Sequence, residues 1–109
     1  MKKAFFVIVV LSVAVLCIGW TVPKDLYVAP DPENPFAGTW KAMGGIKAMH
    51  IIQGMEGIWY VNSLGWKKSA VYTIEKKGDE YVTSNNWRIS VNGNILTVEN
   101  MTYERFIKK

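Results

Sequence analysis

The sequence predicts an all-β protein, a small antiparallel up-and-down barrel of about eight short strands, preceded by an N-terminal apolar signal or anchor helix and a Pro-rich linker. Three observations carry this expectation. From Phe36 onward, Gly, Asn and charged clusters recur about every 8–12 residues, the spacing of turns in a barrel or sandwich. The runs between them are rich in Val, Ile, Thr, Tyr and Trp, which suit a pleated, half-buried surface. No long stretch after Phe36 repeats its apolar residues with a clean helical period.

The first segment is of another kind. Met1-Lys2-Lys3 is a short basic start, and Ala4 to Ile18 is apolar apart from Ser12, the pattern of a secretory signal. Three fates are open to it. A peptidase could cut after Gly19, with Cys17 and Gly19 as the small residues before the cut. Lipid could be attached at Cys17, although Leu16 stands where a small residue is usual. The segment could also stay uncut, since Ala4 to Val22 is about 19 residues and barely spans a bilayer. Lys2 and Lys3 would then lie inside. Each fate leaves the rest of the chain outside the cytoplasm, whether secreted, periplasmic or membrane-anchored, with membrane contact only through the N-terminal segment.

Residues 20–35 form the expected linker. Pro23 to Pro35 holds all four prolines of the chain. Proline lacks an N–H and restricts the residue before it, so this stretch is expected to be an extended spacer. The domain proper is expected over residues 36–109, with strands near Thr39–Ala42, Ile46–Gln53, Ile58–Asn62, Lys68–Lys76, Glu80–Ser84, Trp87–Val91, Ile95–Glu99 and Thr102–Ile107. Ile46–Gln53 is apolar on both faces, which implies cover from both sides or different strand ends. Trp87 to Glu99 reads as a hairpin. Asn92-Gly93 suits a type I′ turn that faces Ile89 with Leu96, whereas a longer loop from Asn92 to Ile95 faces Ile89 with Val98. Both registers bury the same apolar face.

The composition excludes several functions. Net charge is +4, and without Lys2 and Lys3 only 11 basic residues face 9 acidic ones, scattered along the chain. No nucleic-acid partner is expected from such a balance. The one cysteine lies in the leader, so the domain has no disulfide and must rely on its core. His50 is the only histidine, so no His pair or His–Cys pair can form. Asp79-Glu80 follow Gly78 in a turn and read as solvated charges. The chain is therefore expected to be no enzyme and to hold no metal or cofactor.

Two ends of the domain suggest a family. Asn34-Pro35-Phe36-Ala37-Gly38-Thr39-Trp40 resembles the opening of small secreted bacterial lipocalin-like domains, with their Gly-x-Trp motif. Tyr103-Glu104-Arg105 resembles their terminal strand, whose arginine packs over that tryptophan. The resemblance covers Asn34 to Lys109. It implies a barrel closed where Gly38, Trp40 and Arg105 meet, and a small apolar or amphipathic ligand. A full lipocalin has about twice this length, and an eight-stranded barrel is only just wide enough for its own side chains. The faces of Tyr72, Ile74, Trp87, Ile89, Leu96 and Val98 are expected to converge inside and leave at most a small pocket.

A ligand is expected at the open end opposite Trp40 and Arg105, near the loops Gly54–Gly57 and Asn62–Gly65, whose Met55 and Leu64 are apolar at turn positions. Trp59, Tyr72 and Trp87 are the candidate wall residues. The function expected is that of an exported cell-envelope binding module. The alternative is a solid-core interaction protein that touches another envelope protein.

Overall fold

The computed structural model describes residues 22–44 and 46–108; the signal or anchor segment lies outside the described residues. Eight strands follow in chain order. They are β1 (Gly38–Ala42), β2 (Ala48–Gln53), β3 (Glu56–Asn62), β4 (Trp66–Lys77), β5 (Glu80–Thr83), β6 (Arg88–Asn92), β7 (Ile95–Val98) and β8 (Met101–Phe106). Each pairs antiparallel with the next, and β8 returns to β1, so the sheet closes into a barrel. The all-β, eight-stranded fold read from the turn spacing is thus the fold observed, with strand ends shifted by at most two residues.

Three local differences have physical reasons. Strand β4 has 12 residues because it serves two neighbours. Trp66 to Thr73 pair with β3 and Ile74 to Lys77 pair with β5, with a register shift at Trp59/Tyr60. In the hairpin, Ile89 faces Val98 and Val91 faces Leu96, so the second of the two registers holds. The tight turn is Gly93-Asn94, with positive φ only at Gly93 (63°), the pattern of a glycine-first turn rather than Asn-Gly type I′. Trp87 lies just before β6, in a loop whose backbone is fixed by Thr83. The Trp87 N–H donates to Thr83 Oγ1 (3.1 Å), and the Thr83 N–H donates to the Trp87 carbonyl (2.9 Å).

Inward side chains fill the barrel. Trp40, Ile52, Tyr72, Ile74, Ile89, Leu96, Val98 and Tyr103 form one buried cluster, closed at one end by Phe36. Burying a ring such as Trp40 removes roughly 150–250 Å² from water, an upper estimate of about 4–6 kcal/mol, so the aromatic set dominates the core. The second face of β2 is explained by the linker. Val22 is buried with the outward Met49 and Ile51, and Leu26, Val28, Tyr60, Trp66 and Phe106 pack around them. Residues 22–28 therefore lie as a strap on the outside of the barrel instead of standing off as a spacer. Thr39 fixes the strap: its hydroxyl accepts from the Val28 N–H (2.8 Å) and donates to the Val28 carbonyl (3.3 Å).

The end near the start of β1 is plugged. Asn34 holds a turn by accepting from the Phe36 N–H (3.0 Å), and its amide donates to the Gly54 carbonyl. Phe36 then enters the barrel and meets Tyr81 edge-on at 4.8 Å. The Trp40 indole donates to the Phe36 carbonyl (2.9 Å). Arg105 pairs with Trp40 across the β1–β8 seam and lays its guanidinium 4.1 Å from the indole centre. Its Nη1 and Nη2 donate to the carbonyls of Ala37 (2.9 Å) and Pro35 (3.1 Å). Gly38 leaves room for this: its φ is 143°, and a Cβ there would stand 2.8 Å from Arg105 Nη1. The structure thus brings Gly38, Trp40 and Arg105 together at one closed end.

A guanidinium over an indole gains about 0.5–2 kcal/mol. A double-mutant cycle of Trp40→Phe and Arg105→Met, read by denaturant unfolding, should give a coupling of about that size. Additive losses would mean that the seam holds without this pair.

Candidate functional site

The opposite end of the barrel is open. There the β3 and β8 walls, the loop before β6 and the β7–β8 turn surround a recess of about 260 Å³. It is lined by His50, Trp59, Trp87, Val98, Glu99, Asn100, Met101 and Tyr103. A larger depression of about 500 Å³ runs along the outside of the β1–β8 seam, past Lys41, Met43, Glu104 and Ile107. It is a furrow on the outer face of the sheet, whereas the recess reaches the buried His50 and Tyr103, so the recess is the candidate site.

Its floor is aromatic and polar at once. His50 on β2 faces inward and is 1% exposed. Tyr103 meets the His50 ring edge-on at 4.5 Å, and Trp59 lies nearly parallel to it at 6.2 Å. Trp87 stands edge-on to Trp59 at 5.8 Å and forms the outer wall. One layer below, the Tyr72 hydroxyl is hydrogen-bonded to His50 Nδ1. Gly57 makes that layer possible, because a Cβ there would fall on the Tyr72 ring.

Burial sets the charge of the site. It pushes the His50 pKa down to about 3, so the ring is neutral at ordinary pH. Burial pushes the Tyr72 phenol up, with the neighbouring Tyr103 adding to it. Tyr103 is raised to about 12 by burial, with the Trp59 indole acting in the opposite direction. Trp59 Nε1 is the one buried side-chain polar atom without a partner among the described residues. Such an atom costs about 1–3 kcal/mol where a partner is lacking, and a ligand acceptor would offset that.

At the rim, Glu99 adopts φ 51°, unusual for a residue with a side chain. It is held there by Arg88: Glu99 Oε1 accepts from the Arg88 N–H (3.1 Å), and the Glu99 N–H donates to the Arg88 carbonyl (2.9 Å). Glu99 is the only charged residue of the lining, so the site offers no cation to an anionic ligand.

Of the candidate residues, Trp59 and Trp87 line the recess and Tyr72 supports its floor. Met55 and Leu64 do not meet there. Met55 lies on the β2–β3 turn, at the plugged end, where its sulfur faces the Asn34 amide at 3.8 Å. Leu64 lies on the β3–β4 turn, at the open end but outside the recess and fully exposed. The expectation that both loops lie at the open end is corrected for Met55: successive turns of an up-and-down barrel fall at opposite ends. His50, Val98, Met101 and Tyr103 were not foreseen as site residues. His50 shares a face of β2 with Ala48 and the fully buried Ile52, and that phase is the signal that places it inside. Among the described residues no group of three or more His, Cys, Asp or Glu is placed to hold a metal ion.

The buried neutral His50 has a pH signature. Its folded pKa lies below the unfolded value near 6.5, so the unfolded chain takes up the proton first. The stability from keeping this ring neutral is complete above about pH 6.5 and is lost as pH falls toward 3. Between pH 7 and pH 5 the native protein should lose about 2 kcal/mol more than His50→Phe, measured by urea unfolding. Equal losses would mean that His50 reaches water.

No family model, curated protein or solved structure matches this chain.

Proposed function

We propose that the chain is an exported cell-envelope barrel, lipocalin-like in kind, that binds one small apolar or amphipathic molecule at its open end. The observation that carries this reading is the recess of about 260 Å³ lined by Trp59 and Trp87, in which Trp59 has a buried N–H without a partner. Ligand sites are typically apolar clefts of about 300–1,000 Å³ with a few placed polar groups, so this one suits a small, flat or short molecule. The basic, then apolar, N-terminal sequence supports export.

The lining selects against anions. His50 is neutral, Glu99 is acidic, and no lysine or arginine lines the recess. The preferred ligand is uncharged and carries one hydrogen-bond acceptor for the indole N–H.

A second reading rests on the filled interior below His50, where Trp40, Tyr72, Tyr103, Ile52 and Leu96 leave no deep cup. In that reading the barrel is a solid scaffold whose rim touches another envelope protein.

Titration of intrinsic tryptophan fluorescence with matched aromatic or short-chain esters and acids separates the two. Saturable ester binding tighter than about 10 μM, or about 7 kcal/mol, supports the carrier. The acid should bind at least about tenfold more weakly, the ratio that corresponds to 1.4 kcal/mol. Trp59→Phe, which keeps the ring but removes the N–H, should weaken ester binding by about 1 kcal/mol. No saturation with any member of either series would leave the scaffold reading in place.

A further inference from the structure

We infer that the open end of the barrel docks on an anionic lipid bilayer through the β1–β2 and β3–β4 loops, so that the recess opens at the membrane surface. The inference is independent of the ligand reading, because the loops lie outside the recess.

The first observation is where apolar side chains are exposed. Met43 (44%), Ile46 (50%) and Leu64 (111%) all lie on these two loops. The loops are neighbours, since the Asn62 N–H donates to the Lys47 carbonyl (2.9 Å) between them. Together they form one apolar lip. The other exposed large apolar residues are dispersed: Val71 on the side wall, Ile107 past β8, and Met55 against Asn34 at the plugged end.

Charge gives the second observation. Lys47, Lys67 and Lys68 are exposed on or beside the lip, and neither loop contains an acidic residue. The plugged end carries Asp31, Glu33, Glu56 and Asp79 with Lys76 and Lys77, a mixed surface. Glu99 on the β7–β8 turn is acidic at this end too, but it lies at the recess and not on these loops. An apolar patch flanked by lysine is the composition that inserts at a lipid headgroup boundary and is drawn to anionic lipid.

The strap supplies the third. Val28 is fixed beside Thr39, near the plugged end, and the chain before it packs on Met49, Tyr60 and Trp66, in the half of the barrel toward the lip. Val22 is buried there. In the sequence only Gly19-Trp20-Thr21 separate it from the apolar run Ala4–Ile18. Three residues span at most about 11 Å, so an apolar segment retained in a bilayer holds this side of the barrel at the surface. The strap removes the slack that a free linker would give.

The test uses the full chain carrying Cys17→Ser, reconstituted in vesicles of phosphatidylglycerol and phosphatidylcholine. One form carries Leu64→Cys and a second Met55→Cys, each labelled with an environment-sensitive fluorophore. The label at 64 should shift to the blue and be quenched by brominated acyl chains, while the label at 55 stays open to aqueous iodide. Lys67→Gln with Lys68→Gln should weaken quenching at 64 in these vesicles and leave it unchanged in phosphatidylcholine alone. Iodide access at 64 equal to that at 55, or stronger lipid quenching at 55, overturns the inference. Circular dichroism of each labelled form shows that the barrel is intact.

Discussion

The structure depends on one seam. Seven of the eight strand pairings join neighbours in sequence, across short connections; only β1 with β8 joins the ends of the domain. Closing so long a loop costs more chain entropy than forming any hairpin, although the cost grows slowly with length. Without the seam, β1 and β8 would present open backbone edges. Arg105 addresses this in two ways: its face lies over Trp40, and its N–H groups reach the carbonyls of Pro35 and Ala37. A lysine could not make that forked contact. The Gly-x-Trp pattern gains a physical meaning from it, since the glycine makes space for the guanidinium and the tryptophan supplies the surface it covers.

Closing one end so firmly leaves the two ends unlike. At the plugged end, polar atoms are paired by loop carbonyls and Asn34. At the other, the aromatic filling stops at His50 and Tyr103, and a buried indole N–H is left without a partner. A chain selected only for packing would more readily place Phe at position 59, because an unmatched N–H is costly in an apolar setting. The imbalance falls on a residue that lines the recess, whose rim residue Glu99 is held at positive φ. Unmatched polarity, backbone strain and an apolar recess coincide at this end.

Much of the fold was legible because barrels announce themselves through turn spacing. Gly78-Asp79 and Gly93 each fell at an observed turn, and alternation placed Tyr72, Ile74, Ile89, Leu96 and Val98 inside. Two kinds of information were not local. The strap could not be read because proline content indicates extended backbone but not what that backbone lies against; only the doubly apolar β2 hinted at a cover. The site was half legible. Trp59 and Trp87 were named from their size, but Met55 and Leu64 were grouped by residue type without following the chain up and down. His50 is read in the sequence only as a lone histidine without a His or Cys partner, whereas its inward phase on β2 makes it part of the floor.

The buried position of Val22 also bears on maturation, should a peptidase cut after Gly19. A peptidase cutting after Gly19 needs several residues of extended, accessible chain on the far side of the bond. In the folded barrel the third residue beyond it is already packed against β2, and the strap that follows is fastened to Thr39. If a peptidase removes the leader, processing and docking of the strap would compete for the same few residues. Cleavage would then belong to the interval before the barrel has finished assembling, and a chain that folded first would shelter its own leader from removal. On that proposal the rate of barrel closure, more than the quality of the cleavage motif, would divide the population between released and tethered forms.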